Sequence, residues 1–376
     1  MRKLRVFLNI GFKERSRDFK TVSKKWFRGK SGTKLLALDL FWLLIFSSGL
    51  HFGRDITYGW HLLQGQMRIL LQSRRIEKML SDPATPDTLR QKLKWVQDIR
   101  QFATDSLGLT KNRNYTRYYA HTEGLLYVLT ACEKYSLRPY LWKFPVIGSV
   151  SYKGFLDPIM ARREWEELLA RGYDVRLRIV DAWSTLGYFP DPVTTGMLQT
   201  GEENLANVLI HEMFHATLYI PDSTELSEGL ATRVGDAGAL LYLKTKYGPG
   251  SVRYQNYLEI LKTEKRYVRY LNQCAARLDS LYQHPAFLAA HPSEKDSLKK
   301  WYFHMFAERC SDHLQATVPP VYCENLRHQL RQANNAFFTI FRQYHLPDST
   351  NAVPFQSVAE LRNYIKELKK QYGKKS

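Results

Sequence analysis

The pattern with the clearest chemical meaning in this chain is an H-E-x-x-H motif, His211-Glu212-Met213-Phe214-His215. Positions i and i+4 of an α-helix lie on one face, so His211 and His215 can bind the same metal ion. A glutamate directly after the first histidine is placed to take a proton from a water that zinc activates. The motif therefore predicts metal-assisted hydrolysis, with His211 and His215 as zinc ligands and Glu212 as the catalytic base.

A third zinc ligand is offered thirteen residues after His215, where Glu228 stands in the segment 226–232. Catalytic zinc sites in proteins have three protein ligands and one open position. Two imidazoles and one carboxylate form a ligand set that is typical of hydrolytic zinc sites. We therefore expect one Zn²⁺ per chain, bound by His211, His215 and Glu228.

The residues around these ligands predict two antiparallel helices. Apolar residues recur at helical spacing through the first of them, at Leu205, Val208, Leu209, Phe214 and Leu218. We expect this helix to end near Tyr219, because Pro221 follows it. A second helix is predicted from about 225 to 247, closed by a Gly-Pro-Gly segment. Helices joined by so short a turn pack side by side, which would bring Glu228 opposite His215.

The two histidines could instead be ordinary polar residues on a helix. Their surroundings argue against this alternative, because apolar residues fill positions 208–210 and 213–214. Histidine and glutamate in an apolar helix are costly to bury without partners. The apolar flanks and the presence of Glu228 favour the interpretation as a metal site.

The formal net charge of the 376-residue chain is +19, which at first suggests a nucleic-acid partner. Residues 1–34 contain twelve Lys or Arg and two acidic residues, so this short segment alone carries +10. A basic tail of this kind is attracted to anionic lipid headgroups. We therefore predict a cytoplasmic tail over 1–34 and no nucleic-acid partner.

Residues 35–52 follow the basic tail and contain one charged residue, Asp39. Their length lies near the lower limit for a membrane-spanning helix. The preferred interpretation is a transmembrane signal anchor, with the N-terminus in the cytoplasm and the catalytic domain outside it, on the periplasmic side. A signal peptide that is cleaved after export and a buried core helix are the alternatives.

Residues 55–376 are expected to form a single metallopeptidase domain with three parts. These are a helical part over 55–140, a core with a small sheet and the zinc site over 141–250, and a C-terminal helical part over 251–376. Helices are predicted in the first part at 56–80, 87–107 and 118–135, and in the third part at 251–284, 292–313, 322–345 and 355–371.

The core is expected to contain strands within 143–150 and over 174–182, separated by a helix that starts at Asp157-Pro158. The strand over 174–182 alternates apolar and polar residues. It could pair with an extended peptide substrate by strand addition. Alternatively, its Arg176 and Arg178 form a solvated face, which is the preferred interpretation.

The four cysteines are Cys132, Cys274, Cys310 and Cys323, and their spacing fits no zinc site of the Cys-x-x-Cys kind. Outside the cytoplasm a disulfide is permitted, and one between Cys310 and Cys323 is conceivable. Small buried apolar side chains are the preferred alternative, so the pairing stays open.

Several segments together resemble a bacterial family of predicted aminopeptidases of the zincin class. They are 207–219 around the motif, 227–235 around Glu228, 144–148 with 152–155, 182–188, and Asn334-Asn335-Ala336. The resemblance extends over roughly 55–370. It implies a mostly helical α+β fold, zincin-like and of the gluzincin type, with a small sheet before the motif helix. It also implies that His211, His215 and Glu228 are the ligands and Glu212 the base.

Many members of that family resemble lipoproteins, whereas this chain has no cysteine at its apolar segment, so a transmembrane anchor is expected in place of a lipid. Aminopeptidases also need a carboxylate for the free amine of the substrate. The segment Gly196-Met197-Leu198-Gln199 lacks the glutamate found in a well-known aminopeptidase motif, and Glu202 or Glu203 could replace it. An endopeptidase therefore stays open.

Groups that support the metal chemistry are harder to choose. Thr232 and Asp236, one and two turns after Glu228, are candidates to orient the imidazoles. Tyr188 and Tyr219 are candidates to stabilise an oxyanion. A membrane-anchored binding domain without catalysis is the rival function, and the complete set of ligands and base favours the enzyme acting on peptides or proteins.

Overall fold

The computed structural model describes residues 57–121, 126–144, 148–180, 190–314, 318–344 and 355–373. The predicted tail over 1–34, the predicted anchor over 35–52 and Tyr188 lie outside these ranges. Within them, none of the helices has both the length and the apolar character that crossing a membrane requires. The H-E-x-x-H motif belongs to a unit of the chain that extends over His61–Ser376.

Helices dominate the described residues, and short strands lie between them. The helices are α1 (57–72), α2 (Ile76–Ser81), α3 (Asp87–Gln101), α4 (Pro158–Ala170), α5 (Thr195–Gln199), α6 (Glu202–His215), α7 (Thr224–Tyr247), α8 (Val252–Gln283), α9 (Pro285–Ala289), α10 (Pro292–Leu314), α11 (Pro320–Leu330), α12 (Ala336–Tyr344) and α13 (Val358–Tyr372). A π-helical turn, Phe102–Ser106, follows α3.

The strands are β1 (Arg74–Arg75), β2 (Arg117–Tyr119), β3 (Leu126–Glu133), β4 (Trp142–Phe144), β5 (Gly148–Val150), β6 (Lys153–Phe155), β7 (Tyr173–Val180) and β8 (Val193–Thr194). Their orders in the described sheets are β1-β2-β8, β6-β3-β7 and β4-β5. The predicted strand within 143–150 is in fact the pair β4 and β5, which run antiparallel. The predicted helix over 56–80 is also wrong in part, because β1 interrupts it to pair with β2.

The strand β3 corrects the prediction of a helix over 118–135. It pairs antiparallel with β7 along eight residues, from Leu126 opposite Val180 to Glu133 opposite Tyr173. A run of five buried residues fills the middle of β3. A strand buried on both faces has no alternation of apolar and polar residues, so its sequence resembles that of a buried helix.

The helix α4 starts at the predicted residues, and β7 (Tyr173–Val180) covers the described part of the strand predicted over 174–182. The Asp157 side chain accepts a hydrogen bond of 2.8 Å from the Ile159 amide at the start of α4. Gly172 has φ +84 at the turn into β7, a conformation that glycine adopts without strain. The prediction that Arg176 is solvated is wrong, because its guanidinium bonds Gln329 and lies 5.2 Å from the centre of the Phe337 ring.

The helices α6 and α7 form the predicted antiparallel pair, but α6 ends at His215 and not near Tyr219. Beyond His215 the chain turns tightly, and the Thr217 and Leu218 amides both bond the carbonyl of Phe214 at 2.8 Å. The Thr217 hydroxyl fixes this turn by accepting a 2.9 Å hydrogen bond from the Thr110 amide.

Two glycines of α7 allow the helices α6 and α7 to approach closely. A Cβ atom at Gly235 would lie 3.1 Å from the Asn207 carbonyl oxygen and 3.2 Å from the His211 Cβ. At Gly238 it would lie 2.9 Å from Cγ2 of Ile210. The absence of side chains at these positions therefore sets the separation of the two helices that carry the predicted ligands.

The C-terminal helices form a second core of their own, around α8, α10, α11 and α12. A disulfide joins Cys310 and Cys323, whereas Cys132 and Cys274 are free and buried. The predicted helix over 322–345 is two helices, α11 and α12. They are separated around Asn335, whose amide donates a 2.7 Å hydrogen bond to the Asp174 carboxylate on β7.

Candidate metal centre

Three predicted ligands meet where α6 ends and α7 begins. The Nε2 atoms of His211 and His215 lie 3.1 Å apart. Each of these nitrogens lies 3.3 Å from Oε2 of Glu228. The three atoms thus form a nearly equilateral triangle from residues on two different helices.

The size of this triangle fits a tetrahedral metal ion. Ligand atoms placed 2.0–2.1 Å from zinc at tetrahedral angles are about 3.3 Å from one another. The observed separations of 3.1 and 3.3 Å match three corners of such a tetrahedron. Two imidazoles and one carboxylate are also donors that zinc accepts, so the residues fit the ion and leave a fourth corner open.

Burial and charge act together on the three ligands. Glu228 and His215 are buried, and His211 is half-buried. Burial alone would raise the pKa of Glu228, but the two histidines outweigh it and hold this pKa far below the usual range. Burial would lower the pKa of His215, but the Glu228 carboxylate raises it above its ordinary value. The carboxylate is therefore ionised, as a metal ligand must be.

Glu212 projects from the same helix between the two histidines and is half-buried. Among the described residues its carboxylate has no hydrogen-bond or ion-pair partner. Tyr115, a residue that is 1% exposed, interacts with it electrostatically. Burial raises the pKa of the Tyr115 phenol, and the carboxylates of Glu212 and Asp191 raise it further. The free carboxylate of Glu212 is thus available to accept a proton.

Asp236, one of the two candidates to orient an imidazole, belongs to a polar chain beside His211. The Asn207 amide nitrogen donates to Asp236 at 2.6 Å and lies 3.0 Å from the Tyr257 hydroxyl. Burial raises the pKa of Asp236 to about 6, against the opposing influence of Asn207 and His211. The proposed role of Asp236 stays a prediction.

The other candidate residues around the ligands are Thr232 and Tyr219. Thr232 makes no hydrogen bond to either histidine within the described residues. The buried Nδ1 of His215 also lacks a partner there. The ring of Tyr219 lies edge-on to His215, with 6.4 Å between centroids, so Tyr219 is the oxyanion candidate that the described structure brings near the ligands.

Glu202 was a candidate to bind the amine of a substrate, and its position rules this out. Its carboxylate is fully buried and accepts hydrogen bonds from Tyr242, Lys246, Tyr247 and Arg253. A carboxylate with both oxygens used in this way cannot receive a ligand. The corresponding segment Thr195–Gln199 is a short helix and not a strand.

Two residues near the site were not predicted. Asn207 stands one helical turn before His211 on α6, so helical spacing could have identified it. Tyr115 lies in a loop, with a φ of +58 that is uncommon for a residue other than glycine. The Tyr115 amide donates to the Asp191 carbonyl at 2.6 Å, which holds this conformation. No pattern in the sequence indicates such a loop.

The geometry and the donor set define a candidate metal site of the kind used in hydrolysis. Comparison with protein families identifies residues 57–375 with the family described as "Putative aminopeptidase". The match spans most of the chain, so the protein belongs to that family. No curated protein and no solved structure matches the chain. Membership in the family supports a peptidase that acts on peptide substrates.

Proposed function

We propose that the protein is a zinc-dependent aminopeptidase, with His211, His215 and Glu228 as the zinc ligands and Glu212 as the general base. The observation that carries this proposal is the triangle of three donor atoms, because its edges match those of a tetrahedral zinc site. The family of the chain supports the class of reaction. A mostly helical α+β fold of the zincin type is part of the same proposal.

The residues of the site have different roles in the proposed hydrolysis. Zinc bound at this site would polarise a peptide carbonyl and lower the pKa of a water molecule. Glu212 has a free carboxylate beside the ligands, so it can take the proton of the attacking water and deliver it to the leaving amine. Tyr219, whose ring lies 6.4 Å from that of His215, is our candidate to donate a hydrogen bond to the oxygen that becomes negative.

The test combines metal analysis with a variant of the base. We expect purified protein to hold about one zinc per chain by elemental mass spectrometry. Glu212→Gln should keep this zinc and lower kcat/KM on peptides by about 100- to 10,000-fold, the range for general acid–base catalysis. Glu225→Gln removes an exposed carboxylate near the start of α7 and is the matched control.

Either of two results would overturn the proposal. One is a protein that binds no zinc even after zinc is added back. The other is a Glu212→Gln protein with the turnover of the wild type.

The choice of an aminopeptidase over an endopeptidase rests on the description of the family. An aminopeptidase needs a free substrate amine, so acetylating the N-terminus of a peptide should abolish its cleavage. Matched peptides with and without the acetyl group test this directly. Equal cleavage of both, with internal products, would establish an endopeptidase on the same zinc site.

We also propose that the domain lies outside the cytoplasm, held by an anchor within 35–52. The disulfide between Cys310 and Cys323 supports this location, because disulfides persist in oxidising compartments. Protease added to cells with a permeabilised outer envelope should digest the domain while cytoplasmic markers survive. A domain protected together with those markers would contradict the location.

A further inference from the structure

A second candidate site lies in a cavity of about 540 Å³ between α2, α3 and the loop before β2. Arg75, Arg100, Arg113 and Arg117 line it, and Glu77 is the one acidic residue among its lining residues. Four guanidinium groups and one carboxylate leave three net positive charges around the cavity. None of the three metal ligands belongs to its lining.

Two of the arginines are fixed by neutral partners. Nε of Arg100 donates to the Asn114 carbonyl at 2.7 Å, and one of its terminal nitrogens donates to the Asn112 carbonyl at 3.1 Å. Nε of Arg117 donates to the Ser73 hydroxyl at 2.6 Å. These bonds hold the guanidinium groups in place but do not neutralise their charge.

The other two arginines are exposed and unpaired. The side chains of Arg75 and Arg113 have no hydrogen-bond or ion-pair partner among the described residues, and both residues are exposed. The neighbouring Arg100 is half-buried, and this burial lowers the pKa of its guanidinium. An anion in the cavity would therefore form hydrogen bonds with two free guanidinium groups. It would also compensate the partly desolvated charge of a third, that of Arg100.

Several arginines elsewhere in the described structure are paired with carboxylates. The nearest examples along the chain are Arg74 with Asp82 at 3.0 Å and Arg90 with Asp87 at 2.7 Å. Pairs of this kind also form at Arg162, Arg327 and Arg342. Asp82 and Asp87, which are close to the cavity in sequence, thus bind arginines outside it.

We infer that this arginine cavity binds a small oxyanion, through a carboxylate or phosphate group of the ligand. Planar guanidinium groups bind both of these anions through paired hydrogen bonds. The group could belong to a free ion such as phosphate, or to the terminal carboxylate of a peptide. Tyr115 lines the cavity, and the Glu212 carboxylate acts electrostatically on its phenol, so Tyr115 connects the cavity with the proposed catalytic base.

The first experiment is calorimetric titration of the purified full-length protein with inorganic phosphate and with sulfate. Arg75→Gln/Arg113→Gln should weaken binding at least tenfold. Arg75→Lys/Arg113→Lys should keep part of it, because lysine retains the charge without the paired donors. Arg163→Gln/Arg331→Gln removes two exposed charges outside the cavity and should leave binding unchanged.

A second experiment distinguishes the sources of the anion by comparing KM for a peptide with a free C-terminal carboxylate and for its amide. Loss of a preference for the carboxylate in Arg75→Gln/Arg113→Gln assigns the cavity to the substrate. An unchanged preference, with weaker phosphate binding, assigns it to a free oxyanion. The inference is overturned if both double glutamine variants bind phosphate equally and neither changes KM. The titration needs no peptidase activity, so its outcome is independent of the proposed function.

Discussion

The helix α6 has a buried polar cluster at each end, and the two clusters differ in how completely their polar atoms are hydrogen-bonded. At the first turn, Oε1 of Glu202 accepts hydrogen bonds from Tyr242 at 2.7 Å and Lys246 at 2.8 Å. Its Oε2 accepts from Tyr247 and Arg253, both at 2.6 Å. Both oxygens are thus used, and a cation stands beside each of them.

At the last turn, the ligand atoms of His211, His215 and Glu228 point toward one another. Nδ1 of His215 is buried without a partner, and Glu212 has none, among the described residues. A cluster in which every polar atom has a hydrogen-bond partner stabilises the fold and has no free atom with which to bind a ligand. A cluster whose ligand atoms converge but lack partners costs free energy to bury, unless a bound ion or ligand supplies the missing interactions. This difference separates Glu202, a structural carboxylate, from Glu212, the proposed base on the same helix.

The largest effect is expected when one of the three proposed metal ligands is removed. Glu228→Gln should lose the bound zinc and lower peptidase activity by more than about a thousandfold, because zinc supplies several kcal/mol of transition-state stabilisation. Metal content and kcat/KM measure the two effects. A variant with full zinc and full activity would show that Glu228 is not a ligand.

The opposite result is expected at the other end of the helix. Glu202→Gln should lower the free energy of unfolding by about 3 kcal/mol, because it leaves buried donors and cations without their carboxylate. Zinc content and kcat per folded molecule should stay at the wild-type level. Denaturant unfolding and metal analysis of one preparation test both statements. Loss of zinc with unchanged stability would reverse the assignment of the two clusters.

The pH dependence of stability should follow Glu202. Burial alone would raise its pKa, but hydrogen bonds from Lys246, Tyr247 and Tyr242 outweigh burial and lower it. A carboxyl group with a lowered pKa contributes stability above its unfolded pKa, about 4.3, and the contribution is lost as the pH falls through the folded pKa. Unfolding curves between pH 7 and pH 3 should be flatter for Glu202→Gln than for the wild type. Parallel curves would contradict this.

A smaller change tests the spacing of α6 and α7. Gly235→Ala adds a methyl group close to Asn207 and His211, so the helices must separate by a few tenths of an ångström. We expect a cost of about 1–2 kcal/mol in stability and a zinc affinity about tenfold weaker. Gly250→Ala, at a position with open space, is the matched control. Equal zinc affinity in both variants would show that the site tolerates the shift.

The sequence predicts the site better than the sheets around it, for physical reasons. The proposed ligands lie on two helices joined by a short turn, so local spacing is enough to place His215 opposite Glu228. The strand β3 is stabilised by pairing with β7, about fifty residues away, and its buried residues conceal the strand pattern. The loop conformation of Tyr115 depends on Asp191 in the same way. Long-range contacts of this kind leave no local signal.

The three ligands also lie close together along the chain, since His211 and Glu228 bound a stretch of only eighteen residues. Closing so short a loop costs little chain entropy, and helical hairpins form among the fastest of folding events. The effective concentration of each ligand around the others is therefore high before the sheets or the C-terminal helices are in place. If the site binds zinc as proposed, zinc would meet these ligands early in folding and act as a nucleus for the rest of the domain.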